Sequence, residues 1–413
     1  MKDTFCPLPW LHLATHPLGH VSLCCRSEFK DQLSVAKHSG TQTAMNLGRD
    51  SIDAIMNSET FREVRLAMLS HKEHPACRGC YDIEKQGVSS KRMVEKRRFN
   101  LSHKKALRQT SETGEIDTDI RYLELRLGNT CNLKCVTCNP MSSSLWIEDQ
   151  KQLISEGVDI YKCFEGIREE FRWPNEERFW SDLQKEARSV EKIYINGGEP
   201  TLIKKHWQYL QSLIENGMSQ KIDLVYSINA TYLPKQAREV WRNFRSVEIN
   251  LSVDDLYERN EYIRFPSKWE TTESILSQLY KWKEVKLIVL QTVSLYNIFY
   301  LEPFYRQLIE KYPQLIISYN TVLHPEFMSP LVVPKQERVQ LLERISGRIC
   351  DRQFKKMQGA LSGETRPIED WFQFQRYVQS LDKIRGQSFP QTFPEADEYF
   401  KGIFQKVHNF FDG

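Results

Sequence analysis

The sequence predicts an α/β chain built around a partial (β/α)6 TIM barrel. A small cysteine-rich domain precedes the barrel and a helical extension follows it. Three observations carry this. Strand-like and helix-like segments alternate from residue 120 to 323. Polar and glycine-rich residues gather just after the strand segments. The cysteines are grouped at short spacing rather than scattered. Strand–helix alternation implies parallel strands joined by right-handed crossovers. Six such units are too few to close an eight-stranded barrel, so an open one is expected.

Residues 1–90 read as the cysteine-rich domain. They contain one clear helical stretch, "SIDAIMNSETFREVRLAML", in which Ile52, Ile55, Met56, Phe61, Val64 and Leu66 recur at helical spacing. Ser58 is placed to cap a second helix there. Residues 91–118 read as a basic linker or solvated helix. The barrel segment, 119–325, opens with a strand at 121–128, then the loop "CNLKCVTC" and a helix near 142–156. Further strands are expected at 191–197, 221–229, 246–254, 284–294 and 315–323. Their helices fall near 204–216, 234–243, 269–282 and 301–311. Residues 157–190, with "FRWPNEERFW", read as an inserted helical lid. Residues 326–413 read as the aromatic, helical extension across the open side.

Composition bounds the function. The chain has 413 residues and a net charge of +3, so nucleic acid is not the expected partner. One run, "KRMVEKRRFNLSHKKALR", is basic, yet it lacks interleaved stacking aromatics. No window approaches the roughly 18–20 apolar residues of a membrane span. The start, "MKDTFCPLPW", lacks the basic-then-apolar pattern of a secretory signal, and the cytoplasm is the expected compartment. Ten cysteines there point to metal or cluster ligation rather than disulfides.

Cys131, Cys135 and Cys138 follow the first strand with gaps of three and two. Three thiolates can hold a four-iron cluster and leave one iron without a protein ligand, whereas four close it for electron transfer. An open position is where a substrate or cofactor binds. A zinc site would want a fourth Cys or His nearby, and the next cysteine downstream is Cys163. The strand-end residues face the expected ligand side of a parallel α/β fold. They include "NGGEP" (Asn196–Pro200), "INAT" (Ile228–Thr231), "LSVDD" (Leu251–Asp255) and "TVSLYN" (Thr292–Asn297).

Taken together, the Cys131–Cys138 motif and the following "GGEP" resemble the radical S-adenosylmethionine (radical SAM) superfamily. The resemblance covers about residues 120–325. It implies that Gly197, Gly198, Glu199 and Pro200 meet the methionyl amine, the glycines allowing close backbone approach. It implies that Ser252 and Asp254 contact the ribose, and that Asn229 and Asn297 are further cofactor-binding residues. Val322, with Leu323, would line the adenine. Two positions depart from the family pattern: Thr137 stands where an aromatic is common, and Asp255 where glycine is usual. The implied chemistry is reductive cleavage of S-adenosylmethionine at a [4Fe-4S] cluster. The resulting 5′-deoxyadenosyl radical would take hydrogen from a substrate.

The N-terminal cysteines resemble the opening of a SPASM or twitch domain: Cys6, Gly19, Cys24, then the pair Cys77 and Cys80. The resemblance implies an auxiliary [4Fe-4S] cluster on Cys6, Cys24, Cys77 and Cys80. A structural zinc site on the same cysteines is the alternative, and Cys25 could replace Cys24. His12, His16, His20, His71 and His74 are candidate zinc ligands that read better as surface or packing residues. Cys163 and Cys350 read as ordinary buried thiols, with Cys163 the one that could lie near substrate. Tyr194, Tyr226 and Trp146 read as core. The implied function is modification of a peptide, with a flavodoxin or ferredoxin as one-electron donor. RNA, a carbohydrate or a small metabolite as substrate, or a non-catalytic cluster or zinc scaffold, are the competing readings.

Overall fold

The computed structural model describes residues 3–27, 33–160 and 169–411. Cys163 lies outside the described residues. The first helices are α1 (Leu8–Leu11), α2 (Ile52–Met56), α3 (Glu59–Leu69), α4 (Arg78–Lys85), α5 (Lys91–Arg98) and α6 (His103–Arg108). Strands β1 (His12–Thr15) and β2 (Val21–Ser22) precede β3 (Tyr122–Arg126). Then come α7 (Trp146–Ser155), α8 (Glu177–Glu186), β4 (Lys192–Asn196), α9 (Lys204–Glu215), β5 (Asp223–Ile228), α10 (Ala237–Trp241) and β6 (Ser246–Ser252). Next are α11 (Tyr257–Ile263), α12 (Trp269–Tyr280), β7 (Val285–Val293), α13 (Leu301–Lys311) and β8 (Ile316–Thr321). The extension holds α14 (Lys335–Glu343), α15 (Asp351–Leu361), α16 (Ile368–Arg385), α17 (Phe389–Thr392) and α18 (Pro394–Phe411).

The strands form one open sheet in the order β2-β1-β3-β4-β5-β6-β7-β8. β1 and β2 pair antiparallel. β1 runs parallel to β3, with Leu13 beside Leu123. β3 runs parallel to β4, β4 to β5, and β7 to β8. The six expected strands are all present, trimmed where polar and glycine residues leave the ladder. β1 and β2 were not expected: at four and two residues they are too short for a period-2 signal.

The chain packs as two compact units. One comprises Met1–Thr130, Glu165–Tyr226 and Lys235–Val247, the other Cys131–Phe164, Ser227–Pro234 and Glu248–Gly413. In the first, Leu13, Leu123, Leu125, Ile193, Ile195 and Leu224 are buried in the sheet. α9 buries His206, Trp207, Leu210 and Leu213, one face at helical spacing. The described part of the insertion packs inward rather than as a lid. Trp173, Phe179 and Trp180 are buried, and Trp173 Nε1 donates to the Pro17 carbonyl at 2.8 Å. Residues 91–108 are α5 and α6 with the turn between them, and Arg92, Glu95, Phe99 and Ala106 are buried. Ser58 sits at the α3 N-cap but makes no capping bond, whereas Ser51 caps α2 from Ala54 N.

In the second unit, β7 turns Val285, Leu287, Val289, Gln291 and Val293 inward. α16 buries Trp371, Phe374, Tyr377, Val378, Leu381 and Arg385, and Gly386 ends it in the left-handed region at φ 63°. Cys350 is exposed, not buried as the sequence suggested, because it sits at the α15 N-cap. Among the described residues no helix is long and apolar enough to cross a membrane.

Candidate active site and second thiol cavity

The loop after β3 is fixed by its alternate residues. Leu133 and Val136 are buried, and so is Cys135, while Cys131 and Cys138 are half-buried. The amides of Lys134 and Val136 donate to the carbonyls of Phe265 and Ile263, at 2.7 and 2.8 Å. The start of α7 reaches back over the loop: Trp146 Nε1 donates to the Cys135 carbonyl at 2.8 Å. Ser143 Oγ donates to the Leu133 carbonyl at 2.5 Å. The Cys138 amide closes a turn onto the Cys135 carbonyl at 2.9 Å. The Cys138 thiol donates to Cys135 and pulls its pKa down against burial, helped by the Arg264 and Arg385 guanidinium groups. Cys138, as the donor and likewise buried, is pushed up.

Asn229, at the exit of β5, belongs to a polar ring that steadies Cys131. Its Nδ2 donates to Asn132 Oδ1 at 2.8 Å and approaches Cys131 Sγ at 3.8 Å. Its Oδ1 accepts from the Thr231 hydroxyl at 2.6 Å, and that hydroxyl accepts from Asn132 Nδ2 at 2.8 Å. Asn132 and Thr231 were not named as site residues at the sequence level, although both lie inside the segments "CNLKCVTC" and "INAT".

Gly197 and Gly198 follow β4 in the left-handed region, at φ 83° and 56°. A Cβ on Gly198 would lie 2.2 Å from the Thr130 carbonyl oxygen, and one on Gly197 2.9 Å from Arg126 Cα. The Glu199 amide donates to that same Thr130 carbonyl at 2.8 Å, so the turn is bound to the residue preceding Cys131. The buried Glu199 carboxylate accepts from the Thr201 amide and hydroxyl, at 3.0 and 2.6 Å. Pro200 begins the short 3-10 turn that this carboxylate caps. Only glycine fits this cradle, which leaves bare backbone for a ligand to approach.

The remaining expected contacts divide. Ser252 ends β6 half-buried, and Val322 is buried just past β8 while Leu323 is 60% exposed. Asp254 and Asn297 are fully buried and bonded to each other's segments. Asp254 Oδ2 accepts from Arg264 Nη1 at 2.9 Å and Oδ1 from the Thr292 amide at 2.7 Å. Asn297 Nδ2 donates to the Asp254 carbonyl at 2.7 Å, and its Oδ1 accepts from the Ser294 amide at 2.9 Å. Their side chains are thus bonded inside the fold, where they shape the strand ends. The Asp255 carboxylate holds its own turn, accepting from the Leu256 amide at 2.7 Å. Burial raises its pKa to about 6 against the neighbouring Arg259.

Cys6, Cys24, Cys77 and Cys80 line one cavity, with Leu8, Met68 and Arg92 among its other walls. Cys6 precedes α1, Cys24 follows β2, Cys77 caps α4 and Cys80 lies in its first turn. Ser27 Oγ fastens the Cys24 turn, donating to its carbonyl at 2.6 Å. Burial pushes the Cys6, Cys24 and Cys77 thiols up, and neighbouring thiols in the cavity add to the rise. Four thiols around one cavity, with Lys91 and Arg92 also lining it, suit an anionic thiolate-held cluster. Cys25 is absent from this lining and bonds to Glu124 instead.

The histidines do other work. His12 stacks on Tyr122 at 4.2 Å, with Nε2 3.4 Å from Glu124. His71 stacks on His103, His16 on His20, and His74 Nδ1 caps the Pro75–Cys77 turn. Among the described residues, no group of three or more His, Cys, Asp or Glu side chains is arranged around a single metal ion. Four of the eight lysines and arginines in the basic run are in ion pairs within the chain. Lys91 neighbours Glu95 and Glu124, Arg92 pairs with Glu84, Lys96 with Asp3, and Arg98 with Asp223.

Comparison with known proteins matches residues 125–304 to the radical SAM superfamily and residues 6–81 to SPASM, an iron-sulfur cluster-binding domain. The three-thiol loop lies within the first span and all four cavity cysteines within the second. A curated relative, GTP 3′,8-cyclase of Campylobacter lari, is 27% identical over 141 residues. That overlap spans 34% of this chain and only 36% of the relative's length. Among solved structures, anSMEcpe with bound AdoMet overlaps 53% of this chain and 57% of its own, at 17% identity and a TM-score of 0.36. Streptococcus suis SuiB overlaps 71% and 63%, at 14% identity and a TM-score of 0.35.

Proposed function

We propose that this chain, whose residues 125–304 match the radical SAM superfamily and residues 6–81 a SPASM iron-sulfur domain, abstracts hydrogen from a peptide and uses its second cluster to support that step. The observation that carries the reading is the pairing in one chain of a three-thiol loop with a separate four-thiol cavity. When bound, the cluster and S-adenosylmethionine supply one-electron cleavage of the sulfonium and an adenosyl radical.

The protein's own part is to hold and orient. Cys131, Cys135 and Cys138 are the proposed ligands of the first cluster, and Cys6, Cys24, Cys77 and Cys80 those of the second. The Gly197–Pro200 turn offers backbone to the methionyl end. Ser252 and the backbone at Val322 receive the nucleoside. Asn229 steadies Cys131, and Asp254 and Asn297 set the strand ends that carry these groups. A flavodoxin or ferredoxin is the proposed electron donor.

The SPASM-like domain supports the peptide substrate, since such domains accompany peptide modification in the family that the sequence resembles. The second reading, a small nucleotide, is favoured by the partial match to GTP 3′,8-cyclase. RNA is the less favoured substrate, because half of the basic run that motivated it is already paired within the chain. The deciding experiment is anaerobic reconstitution, reduction and assay for 5′-deoxyadenosine with deuterated candidates. Deuterium passing into 5′-deoxyadenosine from a peptide pool supports the first reading. Transfer only from deuterated GTP supports the second. No 5′-deoxyadenosine from a protein carrying its full iron complement overturns both.

A further inference from the structure

Arg385 is the last residue of α16, beyond the span matched to the radical SAM superfamily. Its side chain is fully buried, and its Nε donates to Asp149 Oδ2 at 2.8 Å, across 236 residues of sequence. The guanidinium lies over the Trp146 ring at 4.6 Å and the Phe265 ring at 5.4 Å. Trp146 is the residue whose indole N–H holds the Cys135 carbonyl, and Phe265 the one whose carbonyl holds the Lys134 amide. Among the described residues, nothing accepts from Arg385 Nη1 or Nη2.

Charge counting gives this arrangement its meaning. Asp149 is buried and faces two cations, Arg385 and Lys134. The second buried arginine of the region, Arg264, is balanced by Asp254. The Arg385–Asp149–Lys134 group thus sets two cations against one carboxylate; the other carboxylate in the field of Arg385, Asp382 on the same helix, accepts from the Tyr262 hydroxyl and the Phe389 amide, which leaves the cationic face of Arg385 against the aromatic shell of the cysteine loop. A buried charge left without compensation is costly. The compensating anion is what the loop itself brings: thiolates, and the cluster they hold. α16 is pinned in place for this, with the Tyr377 hydroxyl donating to the Val136 carbonyl at 3.4 Å and Lys383 pairing with Glu156 at 2.6 Å.

We propose that Arg385 is a positioning residue that sets the reduction potential of the cluster on Cys131, Cys135 and Cys138. The inference rests on the cluster assignment proposed above. A cluster gains negative charge on reduction, so a fixed cation in a water-poor shell stabilises the reduced form and raises the potential.

The test is a potentiometric titration of the holoenzyme. It follows by electron paramagnetic resonance the reduced-cluster signal that disappears in Cys135→Ala. Arg385→Gln is expected to lower the reduced-to-oxidised ratio at fixed solution potential by about tenfold, a shift of about 59 mV for one electron. Arg385→Lys, which keeps the charge, is expected to stay within about threefold of wild type. A potential unchanged in Arg385→Gln with iron content intact overturns the inference, and so does an equal shift in the Gln and Lys variants, which would mark a packing role. If Arg385→Gln loses iron, Lys134→Gln decides, since Lys134 is part-exposed and removes the same charge from the same group. A fall in potential supports the proposal, and no fall overturns it. Wild-type protein lacking the Cys135-dependent signal instead overturns the cluster assignment itself.

Discussion

The two cysteine sites are built in opposite ways. The N-terminal cavity draws its thiols from within 75 residues of sequence, two of them from a single helical turn. Burial pushes its Cys6, Cys24 and Cys77 thiols toward the protonated form. The loop after β3 has its cysteines even closer in sequence, yet it is stabilised from far away. Trp146, Ile263, Phe265, Tyr377 and Arg385 hold or surround it, and its thiols are driven apart in pKa by a hydrogen bond and two guanidinium groups. The lesson is that a closed supporting site needs only local geometry. A site with an open position needs the surrounding protein to set both its shape and its field.

The largest expected effect breaks the comparison at its active side. Cys135→Ala should abolish 5′-deoxyadenosine formation and lower bound iron from about eight to about four per chain, by colorimetric iron assay. Next, Cys77→Ala combined with Cys80→Ala should remove about four irons as well while leaving cleavage of S-adenosylmethionine measurable. Loss of cleavage in that variant would mean the two sites are not separable. Binding by zinc instead of iron would show as zinc in elemental analysis, with the iron count unchanged from wild type.

A smaller effect tests the glycine cradle. Gly198→Ala places a methyl 2.2 Å from a backbone oxygen at φ 56°, and the left-handed conformation alone costs on the order of 1–3 kcal/mol. S-Adenosylmethionine binding, measured by equilibrium dialysis, should weaken at least tenfold while both clusters keep their iron. Retained affinity would remove the turn from the binding site.

The smallest is a pH effect. Burial lowers the pKa of His206, on the helix after that turn, to about 3, although its bond to the Ile203 carbonyl acts the other way. The unfolded chain then binds a proton that the folded chain refuses between about pH 6.5 and 3. Stability should therefore be full above about pH 6.5 and fall as the pH drops through that window. Thermal melts of His206→Phe should show a shallower acid limb than wild type. An identical limb would remove His206 from that account.

Much of this was legible because it is written locally. Strand periodicity, the spacing of Cys131, Cys135 and Cys138, and the glycine pair after β4 each announce themselves within a few residues. What was not legible depends on distant partners. The resemblance names Asp254 and Asn297, but nothing near them in sequence announces the bonds that Asp254 makes to Arg264 and the Thr292 amide, or the one Asn297 makes to the Asp254 carbonyl. Arg385 carries no local signal; its meaning arises only when α16 meets α7. Ser58 has the right identity and position for a cap, yet its hydroxyl does not make the bond. Cys350 was judged by residue type alone, and its place at a helix start left it exposed.

The parallel ladder between β1 and β3 has a practical reach. His12, Leu13 and Ala14 cover the edge of the strand that feeds the cysteine loop, where Tyr122, Leu123 and Glu124 lie buried. The N-terminal region therefore cannot be trimmed away as an optional accessory. Its removal would bare the unpaired edge of β3, the kind of surface that recruits other strands. A truncated chain should precipitate for reasons that have nothing to do with iron.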